Sequence, residues 1–180
     1  MEKLTHLLVG VLVGMALMRL GFGAVASFTA ALASILPDID WMIDKAWIGR
    51  DSLIRRVWKR LTGRGFHRTL LHNIWIPLIA DSIIILIVGF NMVLVTSFTL
   101  GYISHLALDS LTKTGIFWLW PIGDENITGR RRFHVNWRIT TGKGWEKVIQ
   151  IFLTILLTYI FIENSPAMRN LINKFFENLI

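Results

Sequence analysis

A chain of 180 residues with 53% hydrophobic and only 17% charged side chains departs from the soluble norm of roughly 45–50% apolar and 25% charged. Mean hydropathy is +0.54, and there is no cysteine, which excludes disulfides and thiolate metal ligands. The net charge of +7 falls in two blocks, one between Lys45 and Arg68 and one between Arg130 and Lys147, as expected of cytoplasmic loops between membrane spans; a nucleic-acid footprint is the competing reading.

The length suits one unit spanning 1–180. The first apolar run, Leu4 to Leu20, is broken only by Thr5, His6 and Arg19, and Gly10 and Gly14 give it a small-xxx-small face for close helix contact. It reads as a retained span rather than a cleaved signal, because a second run begins within a few residues. Gly21-Phe22-Gly23 turns the chain into that second run, Ala24 to Leu36, which at 13 residues is short against the roughly 20 that a span needs. Residues 41–66 form a basic amphipathic stretch with Trp41, Trp47 and Trp58, suited to headgroup level.

A third run extends from Ile74 to Phe90 with Pro77 and Asp81 inside it, and a fourth from Met92 to Leu108. Residues 109–147 make a second polar loop containing three consecutive arginines. Val148 to Ile162 is the fifth run, followed by an amphipathic tail. The pattern predicts an all-α, polytopic membrane helical bundle of about five transmembrane segments, with both basic loops on the cytoplasmic side.

Histidines and carboxylates sit where these runs end: His6; Asp38 and Asp40; His67 and His72; His105 and Asp109. With five alternating spans, all of them arrive at one membrane face, and flipping the protein moves them together. His105 and Asp109 are four apart, on one face of a helix; the plainer reading is an intrahelical hydrogen bond. Asp38 and Asp40, two apart after an apolar run, repel each other unless solvated or bridged by a cation. His67 and His72 flank Arg68 at the entrance to the third run, where a plainer reading is a pair of interfacial histidines.

Taken together, His6, Asp38, Asp40, His67, His72, His105 and Asp109 exceed the three or four ligands of one zinc ion, which points to two or more divalent ions, zinc foremost. Asp38 or Asp40 could also serve as base toward a metal-activated water, and Arg68 suits a phosphate. His134 is a lesser candidate ligand, and Asp81, deep in the third run, is left outside the site with no partner identified. Metal-assisted hydrolysis of a phosphoester fits this chemistry best, with a membrane lipid as natural substrate. The rival is a non-enzymatic protein that binds or transports a metal, which should hold its site near the bilayer midplane. A nuclease is a third option, given the basic loops.

His6-Leu7-Leu8, Leu36-Pro37-Asp38-Ile39-Asp40, His67-Arg68 through His72, and Gly101-Tyr102-Ile103-Ser104-His105-Leu106-Ala107-Leu108-Asp109 running on to Leu119-Trp120-Pro121 occur in this order. In this the chain resembles the YdjM-type family of membrane-bound metal-dependent hydrolases. That family is similar in ligand pattern to zinc-dependent phospholipase C and related single-strand nucleases. The resemblance implies His105 and Asp109 as ligands and Asp38 as ligand or base. One segment departs from the family pattern His-Arg-Gly-x-Thr-His-Ser: Thr69, Leu71 and Asn73 stand at the small and hydroxylated positions, leaving both histidines but changing what supports them.

Overall fold

The computed structural model describes residues 1–40, 52–62, 70–122, 134–135 and 139–177. Helix α1 (Lys3–Leu17) runs into a π turn at Met18–Phe22, and α2 (Gly23–Ile35) ends in a 3-10 turn at Leu36–Asp38. Then come α3 (Leu53–Thr62), α4 (Trp75–Val88), α5 (Met92–Ser110), α6 (Trp145–Asn164) and α7 (Pro166–Glu177). The protein is mostly helical. The departure from the all-α expectation is a two-residue antiparallel pairing of β1 (Ile116–Phe117) with β2 (His134–Val135) inside the second polar loop. Ile116 and Phe117 are buried there, so this loop contributes to the interior as well as to the surface.

The expected reversal after the first run occurs where glycine permits it. Gly21 and Gly23 have φ of +90° and +77°, a region that costs side-chain-bearing residues far more than glycine. α1 and α2 then pack back to back in antiparallel fashion, Gly10 against Ser34 and Gly14 against Ser27. A β-carbon on Gly14 would lie 2.5 Å from the Ser27 Cα, so backbone meets backbone at this position. Gly101 of α5 closes on α2 in the same way, where a β-carbon would lie 2.8 Å from the Ala30 Cα. Small residues thus set the spacing of all three helices, as in membrane bundles, where van der Waals contact replaces the hydrophobic drive.

By length and composition, three stretches could cross a bilayer: Lys3–Asp38, Met92–Ser110 and Trp145–Asn164. Trp75–Val88 is a shorter apolar helix. The first stretch is the α1–α2 hairpin, so the five expected runs become two full-length helices, a hairpin with legs of 15 and 13 residues, and a helix of 14. At 1.5 Å per residue those short helices cover about 20–23 Å, less than the ~30 Å hydrocarbon core. Pro77 does not interrupt α4: it occupies the first turn, where no intrahelical N–H partner is required.

Burial is inverted relative to a soluble fold. Leu20, Leu86, Ile87, Phe90 and Phe152 lie outside, while Thr5, His6, Asp40, His72, Ser97, His105 and Glu146 are wholly enclosed. Such a distribution suits lipid around the helices and a polar centre between them. α3 keeps Arg56, Lys59 and Arg60 exposed beside exposed Leu53, Ile54 and Val57, the two-sided character of an interfacial helix.

Candidate metal centre

Four separate pieces of chain deliver the centre, all near helix ends at one end of the bundle. His6 lies in the first turns of α1, Asp38 and Asp40 follow α2, His72 precedes α4, and His105 and Asp109 occupy the last two turns of α5. The 3-10 turn at Leu36-Pro37-Asp38 bends the chain after α2 and seats Asp38 beside α5. His72 is fixed from both sides: the Tyr102 hydroxyl donates to the Leu71 carbonyl at 2.5 Å, and Asn73 accepts from the Trp75 N–H at 3.0 Å while donating to the Leu70 carbonyl at 2.7 Å. Asn73, where the resembling family carries serine, therefore organises the turn that presents His72.

The donors converge in two overlapping groups, His6–His105–Asp109 and Asp38–His72–His105, with candidate ligand atoms in each lying within 4.8 Å of one another. His72 Nε2 and His105 Nε2 are 3.2 Å apart. Asp38 Oδ1 lies 4.0 Å from each of these nitrogens. Asp109 spans the two groups: its Oδ1 is 3.2 Å from His6 Nε2, and its Oδ2 is 3.6 Å from His72 Nε2 and 3.9 Å from His105 Nε2. The His6 and His105 rings stack with centroids 3.6 Å apart. All five side chains are buried.

Two features show that this donor set suits a cation. First, neither ring nitrogen of buried His6 has a hydrogen-bond partner among the described residues; the 3.2 Å approach of Nε2 to Asp109 lacks hydrogen-bond alignment. Buried polar atoms are rarely left so, since an unmade hydrogen bond costs about 1–3 kcal/mol. Second, the outer nitrogens of the other two histidines are engaged. His105 Nδ1 lies 2.7 Å from the Ser34 carbonyl, which can only accept, so the proton sits on Nδ1 and the Nε2 lone pair faces the centre. His72 Nδ1 meets Asp40 Oδ2 at 3.1 Å, with the same consequence.

Of the expected ligands, the fold brings together His6, Asp38, His72, His105 and Asp109. Asp40 belongs to neither group, because its carboxylate addresses the far nitrogen of His72. His67 and Arg68 lie outside the described residues, as does the side chain of His134. Asp81, for which the sequence suggested no partner, accepts a hydrogen bond from Thr99 of α5 and lies apart from the centre.

Sequence reasoning missed the Ser34 carbonyl and a second polar network around Glu146. The buried Glu146 carboxylate accepts from the Glu2 N–H at 2.6 Å, from Thr5 Oγ1 at 3.0 Å and from the Gly142 N–H. Gln150 donates to Glu2 and to Thr5 Oγ1, each at 2.8 Å. This clamp ties the start of α1, and with it His6, to the start of α6. An available signal was the i,i+4 spacing of Glu146 and Gln150 at the mouth of an apolar run.

No curated protein and no solved structure matches the chain. The model of one family, described as YdjM inner membrane protein, matches residues 1–167. The enclosed His/Asp centre, the apolar helices and this match agree, and the chain belongs to the YdjM inner membrane protein family.

Proposed function

We propose that this membrane protein is a metal-dependent phosphoester hydrolase whose centre lies at the cytoplasmic face of the bilayer. The observation that carries the reading is the enclosure of three imidazoles and two carboxylates from four chain segments, with the tautomers of His72 and His105 set by outer partners. His6, Asp38, His72, His105 and Asp109 would hold the ions, and Asp109 offers one oxygen to each group. Asp109 would help to hold ions at both groups, and a nitrogen–oxygen donor set without thiolate favours zinc, with manganese and iron as the other fitting metals. The chemistry such ions supply is activation of water near neutral pH and stabilisation of the entering and leaving oxygens at phosphorus.

The chain's own groups divide the remaining tasks. Asp38 is 8% exposed where its neighbours are sealed, so it is the carboxylate that can meet a water or substrate and accept a proton. Asp40, also expected as a catalytic candidate, instead holds His72 in orientation. Arg68 is assigned to the substrate phosphate on its chemistry and its place beside the histidine segment. The helix-end location supports hydrolysis over metal transport, which calls for a site near the midplane.

Purified protein in detergent should contain divalent metal and turn over a phosphodiester reporter. His105→Ala removes the residue common to both groups, and should lower metal content and turnover together. Metal uptake into proteoliposomes without turnover would establish the transport reading instead.

A further inference from the structure

A groove of about 520 Å³ lies between the first turns of α1 and the end of α2. Leu4 and Leu7 face Leu32 and Ile35 across it, and among the described residues its wall is apolar except at Lys3 and Asp38. Its volume falls within the range of roughly 300–1,000 Å³ typical of small-molecule sites. Asp38 is shared: the carboxylate that lines the groove also belongs to the Asp38–His72–His105 group. An apolar channel therefore shares a wall with the cation centre, and a lysine stands in its lining.

We infer that this groove seats an acyl chain of a membrane phospholipid whose phosphate lies at the metal centre; the inference rests on the hydrolase reading above and names its substrate class. The chemistry is matched at both ends. Leucine and isoleucine side chains suit a hydrocarbon chain, at about 0.8 kcal/mol per buried methylene. Lys3 and the ions suit the anionic phosphodiester. A water-soluble phosphoester would use the ionic half and leave the apolar half empty. A second cavity of about 330 Å³, bounded by Leu12, Met15, Ala16, Arg19, Leu20 and Ile160, is comparably greasy but includes no candidate ligand among the described residues. It serves as an internal control for ordinary lipid-facing surface.

The unaltered protein is reconstituted in nanodiscs containing phosphatidylglycerol with a mid-chain diazirine, irradiated, and the labelled peptides mapped. Label should concentrate severalfold on residues 3–7 and 32–39 over residues 12–20. Label spread in proportion to exposed apolar surface, including Leu86 and Phe152, would overturn the inference. A second readout compares turnover of long-chain phosphatidylglycerol with that of bis(p-nitrophenyl) phosphate. Leu32→Trp should reduce the lipid-to-soluble turnover ratio at least tenfold, while Leu12→Trp leaves it unchanged. Equal loss on both substrates, or on neither, removes the groove and leaves the hydrolase standing. Groove labelling without turnover of either substrate retains the lipid site and removes hydrolysis.

Discussion

Replacing Asp40 with asparagine separates a residue that binds metal from one that aims a ligand. The Asp40 carboxylate is fully buried, 3.1 Å from His72 Nδ1 and on the opposite side of the ring from the centre. Asparagine keeps an oxygen for the imidazole N–H but loses the negative charge that makes Nε2 a stronger donor. Outer carboxylates of this kind typically contribute 10–100-fold to metal affinity, or about 1.4–2.8 kcal/mol. Asp40→Ala would also leave a buried N–H without an acceptor, adding about 1–3 kcal/mol to the cost. Competition against a chelating indicator gives the affinity, and elemental analysis at saturating metal gives the stoichiometry. The expected result for Asp40→Asn is affinity weakened within that range with the number of bound ions unchanged. Loss of an ion at saturation would make Asp40 a direct ligand. An affinity within twofold of the parent would show that the contact has no influence on the metal.

Gly101→Ala should destabilise the bundle by about 1–3 kcal/mol or more, because the new methyl meets the Ala30 backbone; an unchanged thermal midpoint in detergent would contradict the close α2–α5 approach. Glu146→Ala should cost about 1–3 kcal/mol for each of the Glu2 and Gly142 N–H donors left unpaired, and it should weaken metal binding through His6; thermal unfolding and metal titration report the two effects. The Glu2 carboxyl is held below its ordinary 4.5 by the Gln150 amide and then by the Lys147 ammonium. A depressed folded-state pKa means that this contribution is present above pH 4.5 and is lost as pH falls through the lower folded value. Below pH 4.5 the midpoint should therefore fall more steeply for the parent than for Glu2→Gln, and parallel curves would show that the clamp carries no charge dependence.

Apolar runs and glycine positions made most of the bundle legible, because a helix in lipid must be apolar outside and small where it touches another helix. Gly10 and Gly14 marked a face for close helix contact, and the helix that meets it is α2. The convergence of His6, Asp38, His72, His105 and Asp109 was also legible, since alternating direction brings every second helix end to one face. Asp40 was not. Whether a carboxylate two residues from another faces an ion or the back of a histidine depends on the backbone after Pro37 and on the azimuth of His72, which comes from a different segment. Glu146 was hidden for a related reason: its sequence neighbours Lys143 and Lys147 carry no sign of burial, whereas the approach of α1 encloses it. The β1–β2 pairing escaped because a two-residue strand has no periodicity to read.

The two polar centres, taken together, explain why α1 begins as it does. His6 has no hydrogen-bond partner of its own among the described residues, while its neighbour Thr5 is bonded twice, to Glu146 and to Gln150. Successive residues on a helix project about 100° apart, so Thr5 can be gripped by α6 while His6 points to His105 and Asp109 of α5. The grip fixes the rotation of α1 about its axis, and that rotation decides whether His6 stacks on His105 at 3.6 Å or turns away from it. A histidine left to solvent or lipid would need no such clamp. A buried glutamate, a glutamine and a threonine thus fix the orientation of one turn, which accords with the ligand role proposed for His6 and is more than a space-filling histidine needs.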